Sequence, residues 1–257
     1  MKTGIKTNLQ KSQIEEVQHL LSGSKIARVG DAVLDIDRLR RKGFPEVVFA
    51  QGKKAGDIVQ ILSRLIEEGN VAIASRVNEQ QAQVLKKAFS STGDWYPEAR
   101  IFLANRPAIS KFPYLTSIGI LTAGLSDRPV AEEAYQILCS ANYPVVKMYD
   151  VGVSGLQRLL SQINKIEKCD VVIVAAGMEG ALPTVVAGLL EQPVIAVPTS
   201  IGYGISQNGM TALHTMLASC SPGMSVVNID NGYGAAMMAH AICMRIHKGM
   251  RTGVSDE

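Results

Sequence analysis

Two side chains in the second half of the sequence have the chemistry of catalytic groups. Cys220 stands in the segment Ser-Cys-Ser-Pro-Gly (219–223), whose small polar residues suit an accessible thiol, although a buried structural cysteine is the common alternative. A thiolate is a strong nucleophile and a good leaving group, so an accessible Cys220 could form covalent adducts. Glu179 stands in a glycine-flanked turn, Gly-Met-Glu-Gly (177–180), as either a solvated carboxylate or a general acid or base.

Five loops rich in glycine and small polar residues could hold a phosphorylated ligand. They read Ala-Gly-Leu-Ser-Asp (123–127), Asp-Val-Gly-Val-Ser-Gly (150–155), Ala-Gly-Met-Glu-Gly (176–180), Pro-Thr-Ser-Ile-Gly-Tyr-Gly (198–204) and Asp-Asn-Gly-Tyr-Gly-Ala-Ala (230–236). Small residues let a ligand approach the backbone, and free N–H groups at helix starts favour phosphate. Ordinary turns between strands and helices also need such residues, but five on one sheet edge favour a ligand site. Neither a P-loop nor a GxGxxG fingerprint is present, which argues against kinases and ordinary Rossmann dehydrogenases.

The elements that position these loops repeat regularly between residues 117 and 257. Val171–Ala175 and Val194–Val197 are continuous apolar runs, typical of strands buried on both faces. Further strands are predicted at Ile118–Thr122, Val145–Tyr149 and Ser225–Ile229, and helices at Arg128–Ala141, Gly155–Glu167, Pro183–Leu190, Met210–Ala218 and Tyr233–His247. Asp127 is a suitable N-cap for the first helix, with Pro129 in its first turn. Five βα units predict an α/β fold with a doubly wound, flavodoxin-like parallel sheet, whose ligands bind beyond the carboxyl ends of the strands.

A smaller α/β domain is predicted for residues 1–110, because strands and helices alternate there as well. The predicted strands are Val47–Ala50, Val71–Ala74 and Ala99–Ala104, and the predicted helices are Lys11–Ser22, Ile58–Glu68 and Glu79–Phe89. Pro107 and Pro113 indicate that Ile109–Leu115 is the linker. A basic group, with Lys53 further along, is either a solvated helix end or an anion site; its members are Arg38, Arg40, Arg41 and Lys42.

Composition narrows the class of protein. The chain has 257 residues, 47% hydrophobic and 19% charged, and the low charge suggests surfaces buried between subunits. A formal net charge of +3 is too small to favour nucleic-acid binding. The polar start of the sequence does not resemble a secretory signal, and no run of about 18 apolar residues predicts a membrane span. Four cysteines without CxxC spacing fit a protein of the reducing cytoplasm rather than a zinc site or a disulfide framework.

At the glycine-rich loops the sequence resembles the aminoimidazole ribonucleotide carboxylase domain. The segments that carry this resemblance are Gly-Leu-Ser-Asp (124–127), Ala-Gly-Met-Glu-Gly-Ala-Leu-Pro (176–183) and Gln-Pro-Val-Ile-Ala-Val-Pro (192–198). Three further segments resemble the narrower LarB family of nickel-pincer nucleotide cofactor synthesis, which serves lactate racemase maturation: Arg-Lys-Gly-Phe-Pro-Glu-Val-Val (41–48), Thr-Ser-Ile-Gly-Tyr-Gly (199–204) and Cys-Ser-Pro-Gly (220–223). The resemblance extends over nearly the whole chain and implies the same fold in the carboxyl-terminal domain.

One position departs from the purine-pathway enzymes. Their substrate-pocket histidine precedes the Leu-Pro of the second segment, and this chain has Ala181 there. The general acid or base that serves imidazole carboxylation is therefore missing, which argues against the purine reaction. Ser126 and Asp127 of the first loop are retained.

The LarB resemblance implies an enzyme that acts on nicotinic acid adenine dinucleotide. It implies carboxylation of the pyridinium ring by CO2 and hydrolysis of the phosphoanhydride, with release of AMP and pyridinium-3,5-dicarboxylate mononucleotide. It also places a nucleophilic cysteine at Cys220. Because a nicotinate pyridinium is too electron-poor to attack CO2, a thiolate adding to the ring would first convert it into a dihydropyridine enamine. Glu179 would then remove the ring proton or position the water for hydrolysis.

Residues in and near the glycine-rich loops are predicted to contact the substrate. Ser126, Asp127 and loop 150–155 are expected to hold ribose and phosphate, and Thr199 and Ser200 to contact the phosphates or the nicotinate carboxylate. The complete predicted set is Gly124, Ser126, Asp127, Lys147, Asp150, Gly152, Val153, Ser154, Gly177, Met178, Thr199, Ser200 and Gly204. Mg2+ suits the hydrolysis because a cation neutralises developing phosphate charge, although no metal-ligand cluster is evident.

The resemblance further implies a homo-octamer.

Two other functions remain open from the sequence. One is a purine-pathway aminoimidazole ribonucleotide carboxylase or mutase with an altered pocket, and the other is a protein that binds a nucleotide without catalysis.

Overall fold

The computed structural model describes residues 25–105 and 116–252. The helix predicted at Lys11–Ser22 and the linker predicted at Ile109–Leu115 lie outside these residues. No helix of the described part is long and apolar enough to cross a membrane.

The amino-terminal domain combines a hairpin with a mixed sheet. The hairpin pairs β1 (Ile26–Val29) with β2 (Ala32–Asp35), and α1 (Arg38–Lys42) follows it. The sheet has the order β3-β4-β6-β5, and only its β3–β4 pair is parallel. Its elements in chain order are β3 (Val47–Phe49), α2 (Ala55–Glu67), β4 (Ala72–Ser75), α3 (Glu79–Ala88), β5 (Gly93–Tyr96) and β6 (Ile101–Ala104).

The elements predicted for residues 47–104 are confirmed, but the hairpin and β5 were not predicted. Each of these three strands has only four residues, and none of them is buried throughout. A signal for the hairpin was nevertheless present, because Gly30 and Asp31 are suited to a two-residue connection between strands. Gly30 adopts the positive φ, 55°, that such tight connections require.

The carboxyl-terminal domain contains a five-stranded parallel sheet with the order β11-β10-β9-β7-β8. Its elements are β7 (Ile118–Thr122), α4 (Arg128–Ser140), β8 (Val145–Met148), α5 (Leu156–Leu160), β9 (Val171–Ala176), α6 (Leu182–Leu189), β10 (Val194–Pro198), α7 (Met210–Leu217), β11 (Met224–Val226) and α8 (Gly232–Thr252). This is the flavodoxin-like strand order, so the predicted fold class is confirmed. All residues of β9 and β10 are buried, as their continuous apolar runs predicted.

The helix predicted at Gly155–Glu167 is much shorter in the structure. It ends at Leu160, and a separate 3-10 turn follows at Ile163–Lys165. The side chains of Ser161 and Gln162 both donate hydrogen bonds to the carbonyl of Arg158, at 3.2 Å. Such bonds compete with the helical backbone pattern, which accounts for the early end of α5.

A continuous apolar core joins the two domains. Phe44, Ile101 and Leu103 of the amino-terminal domain are buried in one cluster with Ile137 and Ala239 of the carboxyl-terminal domain. The amino-terminal domain therefore packs against α4 and α8, which cover one face of the parallel sheet. This packing brings the ends of β4 and β6 to the edge of the parallel sheet where its loops lie.

The basic group of α1 forms local ion pairs. Arg40 pairs with Asp37 at 2.7 Å, and Arg41 pairs with Asp35. Arg38 donates a 3.2 Å hydrogen bond to the hydroxyl of Tyr233 on α8. Of the two interpretations of this segment, the structure therefore favours the helix end over the anion site, and it adds ion pairs that were not predicted.

Candidate active site

A cavity of about 370 Å³ opens at the carboxyl ends of the parallel strands, and we call it the sheet-edge cavity. Ligands of open parallel sheets bind at this edge. Most of the predicted substrate residues line the cavity, namely Gly124, Ser126, Asp127, Gly152, Val153, Ser154, Gly177 and Met178. Glu179 also lines it and is exposed, and Ala123, Ala176, Ala181, Leu182 and Ile201 complete the wall. The structure thus brings together the loops after β7, β8, β9 and β10.

Two glycines allow these loops to approach one another. A Cβ at Gly177 would lie 2.3 Å from the carbonyl oxygen of Ile201 and 2.6 Å from Oγ1 of Thr199. A Cβ at Gly152 would lie 2.7 Å from the carbonyl oxygen of Ala123. All three distances are below normal carbon–oxygen contacts, so neither position accepts a side chain unless the backbone moves. The glycines of the sequence motifs therefore shape the cavity floor.

Asp127 organises the floor of the cavity. Its carboxylate accepts hydrogen bonds from Oγ1 of Thr199 at 2.6 Å and from the backbone N–H of Gly124 at 2.9 Å. Burial raises the pKa of Asp127 above its ordinary value, while the hydrogen bonds from Thr199, Gly124 and Gly177 act in the opposite direction. Asp127 occupies the N-cap position of α4, and Pro129 lies in the first turn, as predicted. The side chain, however, bonds these loops instead of capping the helix.

Two predicted substrate residues on β8 and its loop lie outside the cavity because other side chains hold them. Nζ of Lys147 lies 3.0 Å from Oε1 of Glu132 and 3.8 Å above the ring of Tyr135. The carboxylate of Asp150 pairs with Arg158 at 2.7 Å. Both groups contribute to the packing and charge balance around the first two strands of the parallel sheet.

Three predicted residues of loop 198–204 are also placed differently from expectation. Thr199 is fully buried and donates its hydroxyl to Asp127, so it supports the floor instead of facing a ligand. Ser200 lines a neighbouring cavity, described below. Gly204 is exposed and does not line the sheet-edge cavity.

Cys220 is exposed but stands away from the sheet-edge cavity of its own chain. It lies in the loop between α7 and β11, where the carbonyl of Gly223 accepts a hydrogen bond from the N–H of Val194 at the start of β10. This is the amino edge of the sheet, opposite the edge that carries Glu179. The sequence already contained this signal, because a loop that runs from a helix into a parallel strand lies at that edge. The buried alternative for Cys220 is wrong, whereas Cys169 and Cys243 are buried and burial raises the pKa of both thiols.

A second cavity, of about 180 Å³, lies between the two domains, and we call it the interdomain cavity. It shares Ser126 and Ile201 with the sheet-edge cavity, so the two adjoin. Sequence reasoning missed the amino-terminal residues of its wall, Arg76, Glu98, Ala99 and Arg100, and it assigned no ligand contact to Pro129, Val130 or Glu133, which also line it. Asp230, another wall residue, begins the predicted ligand loop 230–236. The available signal was the position of Arg76 directly after a strand.

The described part of the chain contains no group of three or more His, Cys, Asp or Glu residues arranged to hold a metal ion. A divalent cation that serves a pyrophosphate can instead take most of its ligands from phosphate oxygens and water.

Comparison with known proteins identifies both domains. Residues 26–106 match the family described as LarB/PurE-like N-terminal domain, and residues 117–256 match the family described as AIR carboxylase. This chain belongs to the AIR carboxylase family and carries the LarB/PurE-like amino-terminal domain. The family and the five-stranded parallel sheet both agree with the sequence-based prediction.

Several individual proteins resemble this member of the AIR carboxylase family. Uncharacterized protein MJ0165 of Methanocaldococcus jannaschii is 41% identical over 225 residues, which cover 84% of this chain and 85% of that protein. The N5-carboxyaminoimidazole ribonucleotide mutase of the same organism is 36% identical over 127 residues, covering 48% of this chain and 75% of the mutase. Among solved structures, Treponema denticola PurE covers 55% of this chain and 96% of its own, with 19% identity and a TM-score of 0.40.

Proposed function

We propose that this AIR carboxylase family member carboxylates the pyridinium ring of nicotinic acid adenine dinucleotide and hydrolyses its phosphoanhydride. The observation that carries the proposal is the composition of the sheet-edge cavity. Glu179 stands there beside small and apolar residues, and Ala181 occupies the position where the purine enzymes have a histidine. A cavity that keeps the nucleotide loops but lacks the imidazole-specific base suits a different heterocycle.

The proposed reaction proceeds through a covalent adduct between the thiolate and the pyridinium ring. A thiolate adds to the pyridinium ring and gives a dihydropyridine enamine, whose β-carbon forms a bond to CO2. Glu179 takes the proton from that carbon, and the electron pair restores the aromatic ring while the carbon–sulfur bond breaks and the thiolate leaves. Hydrolysis of the phosphoanhydride releases AMP, and Mg2+ bound to its oxygens would neutralise the charge of that step.

We assign the thiolate to Cys220 of a neighbouring copy, because Cys220 of the same chain faces the opposite edge. Large apolar side chains are exposed at both edges, which supports such an assembly. Tyr203 and Ile205, from a loop at the carboxyl edge, are 76% and 92% exposed, and Leu217 near Cys220 is 64% exposed. Contact between unlike edges of successive copies is heterologous, and such contacts form a ring where the rotation between copies closes, as the proposed octamer requires.

Incubation with nicotinic acid adenine dinucleotide, Mg2+ and labelled bicarbonate tests the reaction directly. We expect AMP and a labelled dicarboxylate mononucleotide by mass spectrometry, and an unlabelled product or none would contradict the proposal. Cys220→Ala and Glu179→Gln should each abolish labelling, whereas Cys169→Ala, at a buried cysteine outside both cavities, serves as the matched control and should retain it.

Mixed oligomers test the assignment of Cys220 to a neighbouring copy. Co-expressed Cys220→Ala and Glu179→Gln chains would form some sites with both groups intact. Random mixing of equal amounts should restore about a quarter of the wild-type activity, because each site then draws one group from each of two subunits. No recovery in co-assembled chains would show that both groups act within one subunit or that Cys220 is not the nucleophile.

A second candidate is supported by the similarity to N5-carboxyaminoimidazole ribonucleotide mutases. That function predicts turnover of N5-carboxyaminoimidazole ribonucleotide by the unmodified chain. Turnover of that compound together with no labelling of the pyridinium nucleotide would favour this alternative. Nucleotide binding without any product would favour a binding protein.

A further inference from the structure

We propose that the interdomain cavity binds the non-reacting nucleotide of a dinucleotide substrate, with Arg100 holding its phosphate. This inference rests on the proposed function, which identifies the nicotinate nucleotide as the reacting half of the substrate. The site for the other nucleotide, which we call the half-site, is argued from the residues that line the interdomain cavity. Three features of the cavity support it. It shares wall residues with the sheet-edge cavity, the Arg100 guanidinium has no carboxylate partner among the described residues, and the backbone of Arg76 and Arg100 has positive φ angles.

The two cavities are placed as a dinucleotide requires. Ser126 and Ile201 belong to both walls, so the two cavities adjoin at these residues. Ser126 directly precedes Asp127, the N-cap residue of the 13-residue helix α4. The bridging phosphates of a ligand in both cavities would therefore lie near a helix N-terminus, which favours negative charge.

The two arginines of the cavity differ in their partners. Arg76 donates to the buried carboxylate of Glu133 at 3.1 Å and to the carbonyl oxygen of Asp230, so its charge is already balanced. Among the described residues, the Arg100 guanidinium has two long hydrogen bonds, to the carbonyls of Val77 at 3.3 Å and Arg76 at 3.5 Å. Arg100 is exposed, and within residues 25–105 and 116–252 it makes no ion pair with a carboxylate.

The backbone around the cavity is held in an uncommon conformation. Arg76 and Arg100 have positive φ angles of 56° and 53°, and a 2.9 Å hydrogen bond joins the N–H of Val77 to the carbonyl of Arg100. Long side chains rarely adopt this region, and such strained backbone occurs most often in functional segments. Arg76 directly follows β4 and Arg100 directly precedes β6, so these two adjacent segments place both arginines in the wall of the interdomain cavity.

The rest of the wall suits the remainder of a nucleoside monophosphate. Asp230 and Glu98 provide carboxylate oxygens that can accept hydrogen bonds from a ribose diol. Ala99, Pro129 and Val130 provide an apolar surface for a base. A phosphate could accept two hydrogen bonds from the Arg100 guanidinium and would provide the negatively charged partner that this group does not have among the described residues.

Calorimetric titration of the full chain with AMP and with nicotinate mononucleotide tests the inference. We expect Arg100→Ala to weaken AMP binding at least about tenfold and to leave nicotinate mononucleotide binding unchanged. Arg100→Lys should recover part of the loss, and adenosine, which lacks the phosphate, should bind equally to wild type and Arg100→Ala. Arg64→Ala, at a half-buried arginine on α2 outside both cavities, is the matched control and should bind AMP as wild type does.

Several outcomes would overturn the inference. These are an absence of AMP binding to the wild-type chain, equal AMP binding by Arg100→Ala, or an equal loss of both mononucleotides. Unfolding midpoints of all variants exclude loss of the fold as a cause. The labelling assay separates this inference from the proposed function, since AMP binding that depends on Arg100 would support the half-site even if no pyridinium ring is carboxylated. Labelling with an unchanged KM for the dinucleotide in Arg100→Ala would leave the reaction intact and refute the half-site.

Discussion

The buried hydroxyl of Thr199 donates a 2.6 Å hydrogen bond to Oδ1 of Asp127. The bond joins the loop after β10 to the loop after β7 beneath the sheet-edge cavity. Thr199 is fully buried and Asp127 is 4% exposed, so water cannot replace this contact easily.

Thr199→Val should therefore destabilise the protein although it preserves the shape of the side chain. The loss leaves the Asp127 carboxylate with fewer donors, and we expect the free energy of unfolding to fall by about 1–3 kcal/mol. Urea denaturation measures this change. Thr211→Val, which removes an exposed hydroxyl bonded to the carbonyl of Ile205, is the control and should change stability by less than about 0.5 kcal/mol. Equal effects of the two substitutions would contradict a special role for the Thr199–Asp127 bond.

Gly177→Ala should damage both stability and ligand binding. The new methyl group would meet the backbone carbonyl oxygen of Ile201 at 2.3 Å, so one of the two loops has to move. We expect a loss of about 1–3 kcal/mol in unfolding free energy and weaker binding of nicotinate mononucleotide. Gly188→Ala is the matched control, since its nearest neighbour is the hydroxyl of Ser221 at 3.9 Å and the position lies within α6. That control should gain up to about 1 kcal/mol from helix propensity, and a similar gain at Gly177 would refute the close approach.

Arg76→Ala should be more harmful than loss of an exposed ion pair. Glu133 is 3% exposed, burial raises its pKa, and Arg76 provides the compensating charge. We expect a loss of about 3 kcal/mol for Arg76→Ala and partial recovery when Glu133→Gln is added, because the amide needs no counter-charge. Arg128→Ala breaks the exposed pair with Glu98 and should cost less than about 1 kcal/mol. A double variant no more stable than Arg76→Ala would argue that packing, and not charge, dominates.

His240 should make stability depend on pH. Its Nε2 donates to the carbonyl of Lys42 at 3.0 Å, which leaves Nδ1 to accept from the hydroxyl of Tyr143 at 2.9 Å. Burial lowers the pKa of His240 below its ordinary value of 6.5. The unfolded chain then binds a proton more readily than the folded one, so this contribution is present above pH 6.5 and is lost as pH falls through the folded pKa.

Unfolding free energies at neutral and mildly acidic pH test this expectation. The wild-type value should fall below pH 6.5 more steeply than that of His240→Gln, which cannot take up a proton. His214→Gln, at an exposed histidine on α7, is the control and should follow the wild type. Parallel curves for wild type and His240→Gln would contradict the prediction.

Much of the fold follows from local sequence patterns. The β-branched runs of β9 and β10 are buried throughout, and the glycine-rich loops after β7, β8 and β9 line one cavity. These features are predictable because alternation of strands and helices forces parallel strands to carry their loops at one edge. Short elements such as β1, β2 and β5 escaped prediction, because four half-exposed residues show too little periodicity.

The sequence by itself determined the fold class, the family, and the loops that form the sheet-edge cavity, because these depend on local hydrophobic patterns and on motifs of neighbouring residues. Only the tertiary structure decided which polar side chains face a ligand and which support the floor. It turned Thr199 inward to Asp127, paired Lys147 with Glu132, and brought Arg76 and Arg100 of one domain to the loops of the other. These placements join residues distant in the chain, and they depend on packing within the parallel-sheet domain and between the two domains, which no local spacing specifies.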